Sequence, residues 1–288
     1  VATEVRAARP EDREAILAIS AQIWEGEDYI PLVLESWLAE GGLVVAELDG
    51  RVVGFAKMTL LSPGEVWLEG LRVDPAHRGK GVAKALAHHQ LQAALALHPR
   101  SIRFATAEVN AESLHIARKQ GFHEVARFTY VEGPVRDEVP PLGVAAVYDP
   151  ERAWAFVRAS SAYREAQGLL GLGWRFPELT RERLAALVMQ GAVFALGDAM
   201  RGLLIQTGDP YAPDLYAAIT FLDGDDEALD ALLRHGHAHA REQGQAYLSA
   251  MTTDGRVELF ARHGLAPLPP FRYVLVLGYP LPRPPGFG

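Results

Sequence analysis

Arg78-Gly79-Lys80-Gly81-Val82-Ala83 is the stretch whose residue types and spacing point most directly at chemistry. Glycines at alternate positions let a ligand approach the main chain, and the residues that follow have the apolar spacing of a helix. A helix's first turn holds N–H groups without intrahelical partners and a partial positive charge, so a di-anion such as pyrophosphate is its natural guest. Arg78 and Lys80 add full charges. Two common nucleotide loops are excluded: GxxxxGK[ST] is absent, and GxGxxG would need glycine where Lys84 stands.

The elements that must position this loop flank it. Ahead lies an apolar strand with Val66, Leu68, Leu71 and Val73, which turns at Asp74-Pro75. Behind it, Val82, Leu86, His89, Ala93 and Leu97 recur at intervals of three and four, which predicts a helix buried on that face. Further out, residues 5–8 read as a strand, Pro10-Glu11-Asp12 opens a helix, and a second helix ends at Gly41-Gly42. Asp49-Gly50 closes a hairpin between residues 43–48 and 51–61. Residues 101–109 form a strand and 112–119 a helix ending before Gly121-Phe122.

The same order returns after Gly133-Pro134 and Pro140-Pro141. Pro150-Glu151 echoes Pro10-Glu11, Gly191-Ala192-Val193-Phe194-Ala195 echoes Gly42-Leu43-Val44-Val45-Ala46, and His263-Gly264-Leu265 echoes Gln120-Gly121-Phe122. The expectation is α/β architecture with a mixed sheet in two tandem domains: 1–132 with the loop, a linker at 133–143, and a degenerate copy at 144–288. Setting Val82 against Leu229 puts Asp225, Asp226 and Asp230 opposite Arg78, Gly79 and Ala83, where carboxylates would repel a pyrophosphate.

The loop with its strand and helix resembles the R/Q-x-x-G-x-G/A acyl-CoA loop of the GCN5-related N-acetyltransferases. Asn110-Ala111-Glu112-Ser113 and Lys119-Gln120-Gly121-Phe122 are similar to the start and end of that superfamily's second CoA-binding helix. The resemblance implies acetyl-CoA as acetyl donor, held by Arg78, Gly79, Lys80, Gly81, Val82, Ala83 and Asn110 and by the main chain of Leu71, Arg72 and Val73, whose N–H groups would polarise the thioester carbonyl. It implies a general base, for which Glu69 is the candidate, since it alternates with Leu71 and Val73 on one strand face. Many relatives carry an acidic tyrosine seven residues after the asparagine; here that residue is Ala117, and Ser113 is the substitute. Within the superfamily, Asp28-Tyr29-Ile30-Pro31, Ser36-Trp37-Leu38 and the segment from Glu69 to Ala83 look like those of vertebrate histidine N-acetyltransferases. That implies a small-molecule amine acceptor with Asp28 and Tyr29 beside it.

The residues also carry plainer readings. Glu69 can be a solvated strand residue, Asn110 and Ser113 an ordinary helix start, and Trp24, Tyr29 and Trp37 packing. His235, His237 and His239 suggest a solvated helix face rather than a metal site, since only His235 and His239 share a side. The net charge of −8 argues against nucleic acid as a partner, and no run is long enough to span a bilayer, so a cytoplasmic protein is expected. Absence of cysteine excludes a thiol acyl-enzyme and leaves direct transfer to the acceptor, or transfer through another nucleophile. A homodimer is left open, as are two other functions: acetylation of a protein or peptide, and a non-catalytic acyl-CoA sensor.

Overall fold

Strand alternation and one tight turn set up the first sheet. The computed structural model describes residues 3–281. β1 (Glu4–Ala7) is followed by α1 (Arg13–Ser20) and α2 (Ile30–Glu40), then by β2 (Leu43–Leu48), β3 (Arg51–Ser62) and β4 (Glu65–Val73). Asp49 and Gly50 both have positive φ, 52° and 72°, the backbone a two-residue hairpin needs to match strand twist. β1–β2, β2–β3 and β3–β4 pair antiparallel. α3 (Val82–Ala96) then crosses to β5 (Ser101–Ala107), which runs parallel to β4. α4 (Ala111–Lys119) and β6 (His123–Pro134) follow.

The second half repeats this order: β7 (Val144–Ala146), α5 (Pro150–Ala159), a short α6 (Ser161–Glu165), α7 (Arg181–Met189), β8 (Val193–Leu196), β9 (Gly202–Gly208) and β10 (Tyr216–Gly224). α8 (Asp226–Glu242), β11 (Tyr247–Thr252), α9 (Val257–Arg262), β12 (Ala266–Pro267) and β13 (Val274–Gly278) complete it. β7–β8, β8–β9 and β9–β10 are antiparallel and β10–β11 parallel, as in the first half. The fold is therefore α/β with mixed sheets and an internal repeat.

Among the described residues, one unit holds 3–104, 111–123 and 277–281, the other 105–110 and 124–276. A cut at residue 132 would fall inside β6, whose Thr129–Pro134 segment pairs antiparallel with Tyr247–Thr252 of β11. Strand pairing, not chain order, assigns this stretch to the second unit. In the first unit, Ala46, Val53, Ala56, Val73, Val82 and Leu86 form a core between β2, β3, β4 and α3. α3 buries Val82, Leu86, Ala87, Gln90, Leu91 and Ala94. His89 and Ala93 fall on the margin of that stripe, and Leu97 lies exposed just beyond the helix. Gln90 is tolerated inside because its amide donates to the Lys57 carbonyl at 2.7 Å. No helix among the described residues is long and apolar enough to cross a membrane.

Candidate active site

The site begins with an irregularity in β4. Glu69 faces Lys57 on β3 and Arg72 faces Phe55, so a three-residue step on β4 matches a two-residue step on its neighbour. The extra residue is a β-bulge at Gly70-Leu71, with Gly70 at φ +66°. A bulge resets alternation. Glu69 and Arg72 consequently share one face of the sheet, while Leu71 and Val73 pack toward Val82 and Leu86 of α3. This corrects the expectation that Glu69 alternates with Leu71 and Val73. On the far side of β4, pairing with β5 covers Glu65–Trp67 against Ser101–Arg103 and stops there, so the strands part beside the bulge.

On the Glu69 face, Thr59 Oγ1 donates to Glu69 Oε1 at 2.6 Å. Asp28, expected near the acceptor, is engaged in a fork: Arg72 Nε and Nη2 donate to its two oxygens at 3.1 and 3.0 Å. Ser20 Oγ donates to the same carboxylate at 3.0 Å. The Asp28 side chain is 1% exposed and that of Arg72 13%, so the carboxylate is walled off and the Arg72 side chain keeps partial exposure. The Arg72 guanidinium lies 4.4 Å from the Trp24 ring centroid and 5.6 Å from that of Tyr29. Tyr29 meets Trp37 edge to face, 6.1 Å between centroids. Trp37 is buried packing rather than open pocket wall, and its indole closes on Gly70. Arg72's side chain was missed from sequence, where only its main chain drew attention; recognising the bulge would have exposed it.

The loop follows where β4 ends. Asp74 accepts the Ala76 N–H at 2.9 Å and meets His77 Nδ1 at 3.0 Å, which rounds off the turn. Gly79 and Gly81 have φ of +75° and +83°, and a Cβ built on either would meet nothing within 4 Å. Gly81 is the N-cap of α3 and supplies no side chain to it. The first helical bond is Ala85 N–H to Gly81 carbonyl, 3.0 Å, so the N–H groups of Val82, Ala83 and Lys84 have no partner among the described residues. Arg78 and Lys80 are exposed beside them. Unpartnered donors, an open main chain and two cations fit a diphosphate.

Asn110 is exposed and stands just ahead of α4, its N–H on the Ala107 carbonyl at 3.0 Å. Ser113 is half-buried in the first turn of α4, and Ala117 is buried beneath that helix. The structure thus gathers Glu69, Arg72, Asp28 and Tyr29 on one face and sets the glycine loop at the end of the same strand; Ser113 comes from a separate element.

In the second unit the loop is deleted rather than altered. β10 ends at Gly224 and α8 starts at Asp226, so Asp225 stands where Gly81 does and Asp230 falls in the helix's second turn. Asp225 caps α8 itself, accepting the Ala228 N–H at 3.0 Å, and Arg201 bonds it at 2.9 and 3.0 Å. The histidines also depart from expectation. His235 and His239 stack at 5.9 Å against Phe194, and His237 is fully buried, accepting the Arg136 N–H at Nδ1 and meeting the His263 carbonyl at Nε2. Burial lowers the pKa of all three, His235 to about 4. Among the described residues no cluster of His, Asp and Glu could hold a metal ion.

A strand broken by a bulge leads into a glycine loop and a helix start with open N–H groups, and similar proteins are known. Residues 12–122 match the family described as Acetyltransferase (GNAT) family. Histidine N-acetyltransferase of Scomber australasicus is 42% identical over 82 residues, 27% of this chain and 24% of that protein. The enzyme of that name from Oreochromis niloticus is 40% identical over the same length, again 24% of its own chain. The likeness therefore spans about a quarter of these relatives. The GCN5-related N-acetyltransferase from Sphaerobacter thermophilus superposes over 96% of this chain and 95% of its own, TM-score 0.66 at 17% identity, which shows the shared fold.

Proposed function

We propose that the protein is an acetyl-CoA-dependent N-acetyltransferase that moves an acetyl group to the primary amine of a small molecule by direct attack in a ternary complex. An amino acid such as histidine, named in two of the relatives, is the first acceptor to test. One observation carries the reading: the three unpartnered N–H groups of α3 lie behind an open glycine loop at the end of the strand that bears Glu69.

Acetyl-CoA, when bound, supplies the acetyl group. Arg78, Gly79, Lys80, Gly81, Val82 and Ala83 hold the diphosphate, with Asn110 as a further contact. The main chain of Leu71, Arg72 and Val73 donates to the thioester carbonyl where β4 and β5 part. Glu69 takes a proton from the acceptor ammonium, directly or through water, because only the neutral amine is nucleophilic. Ser113 offers its hydroxyl to the departing sulfur, since Ala117 has no proton to give. Tyr29 borders the acceptor.

The test is CoA release by the full chain with acetyl-CoA and a panel of amino acids, amines and peptides. Turnover confined to small amines supports the proposal. Acetyl-CoA binding without turnover, or turnover of peptides alone, overturns it.

A further inference from the structure

Glu69 and Arg72 are opposite charges on the same face of one strand, brought there by the bulge between them. Their register partners on β3, Lys57 and Phe55, are two residues apart, so the two side chains leave the strand about 7 Å from each other. A guanidinium has five N–H donors. Arg72 spends two on Asp28 and one from Nη1 on the Leu71 carbonyl at 3.2 Å, which leaves two. The fork to Asp28 fixes the plane of the group, and Trp24, itself 58% exposed, lies along it. A surface ion pair needs no such arrangement. A buried carboxylate here spends both oxygens on immobilising a cation that keeps two donors uncommitted and a side chain 13% exposed.

We infer that Arg72 is the receptor for a carboxylate on the acceptor, so that the substrate class is a free α-amino acid, read by Glu69 at its ammonium and by Arg72 at its carboxylate. In that class both charges sit on one carbon, and a carboxylate and a guanidinium on neighbouring same-face positions bracket it. Asp28 is then a positioning residue: it never touches the substrate but sets the orientation of Arg72. Ser20, which donates to Asp28, supports the same fork. The inference rests on the acetyltransferase reading above and sharpens its acceptor.

The experiment compares three acceptors that share one side chain: the free α-amino acid, its carboxamide and its decarboxylated amine, each assayed with acetyl-CoA. The free acid should be preferred in kcat/KM by about a hundredfold or more, because the unmatched analogues leave Arg72's donors unpaired. Arg72→Gln should reduce that preference to within about tenfold, and Asp28→Asn should raise KM for the free acid more than KM for acetyl-CoA. Removing Arg72 alone strands a buried carboxylate, so the Asp28→Asn/Arg72→Gln pair provides a second variant, and the wild-type comparison requires no variant. Equal rates on all three acceptors, or a preference that survives in both Arg72 variants, overturns the carboxylate receptor while acetyl transfer stands. No turnover of any amine overturns the acetyltransferase reading and this inference together.

Discussion

Gly70 and Trp37 fit so closely that a Cβ added to Gly70 would lie 2.5 Å from the indole Cη2 and 2.6 Å from Cζ3. The indole is 1% exposed and cannot move aside, and φ of +66° already excludes most side chains. Gly70→Ala should therefore cost about 2 kcal/mol or more in stability. If the ring holds the bulge, kcat/KM should fall with it. Denaturant unfolding alongside acetyl transfer checks both; an unchanged midpoint would mean that the bulge tolerates a side chain.

Glu69, the proposed general base, shares a face of β4 with Arg72 and is in hydrogen bond with Thr59. Replacing it by Gln preserves that geometry and removes the base, so turnover should drop about a hundredfold or more while acetyl-CoA binding is retained. Equilibrium titration with acetyl-CoA and steady-state rates separate the two. A variant turning over at the wild-type rate would remove Glu69 from the mechanism.

Gly81 caps α3 without a side chain, whereas Asp225 caps α8 with a carboxylate. Gly81→Asp brings the second unit's solution into the first, with open space around the new Cβ. The left-handed backbone should cost only about 1 kcal/mol, but the carboxylate competes for the donors of a bound diphosphate. Acetyl-CoA affinity should fall at least about tenfold with little loss in melting temperature. By the same logic the whole chain should bind one equivalent of acetyl-CoA, which calorimetry can count.

Histidines 235, 237, 239 and 263 all have pKa values below the ordinary 6.5, each chiefly because burial disfavours the charged imidazole. Nearby charges modify this: Glu242 favours protonation of His235 and His239, Arg136 opposes and Glu138 favours it at His237 and His263, and Asp230 favours it at His263. The unfolded chain then binds more protons than the folded one below 6.5. Stability should be full above that value and decline as pH falls, with the His235 contribution running down to about 4. Thermal melts should drop by several degrees between about pH 7.5 and pH 5. His237→Gln, which removes a buried titrating ring, should flatten the dependence; an identical slope would assign it to other groups.

Local patterns in the chain were enough to locate the glycine loop, the helix behind it, the Asp49-Gly50 hairpin and the repeat of elements in the second half. Each depends on residues a few positions apart, whose backbone preferences and periodicity act before distant parts of the chain meet. Glu69 was legible as a carboxylate near the loop, but the face it occupies was not. That depends on how β4 registers against β3, and one unpaired residue at Gly70-Leu71 reverses every side chain beyond it. The burial of the α8 histidines was likewise hidden, since Phe194 comes from a strand about forty residues earlier. So was the assignment of most of β6 to the second unit, which hydrogen bonds to β11 decide. The sequence by itself determined the phosphate-sized loop, because its donors are main-chain groups that any helix start exposes. Only the tertiary structure decided that Arg72 and Asp28 are partners, because an ion pair between residues 44 positions apart exists only once the strand and the loop have packed together.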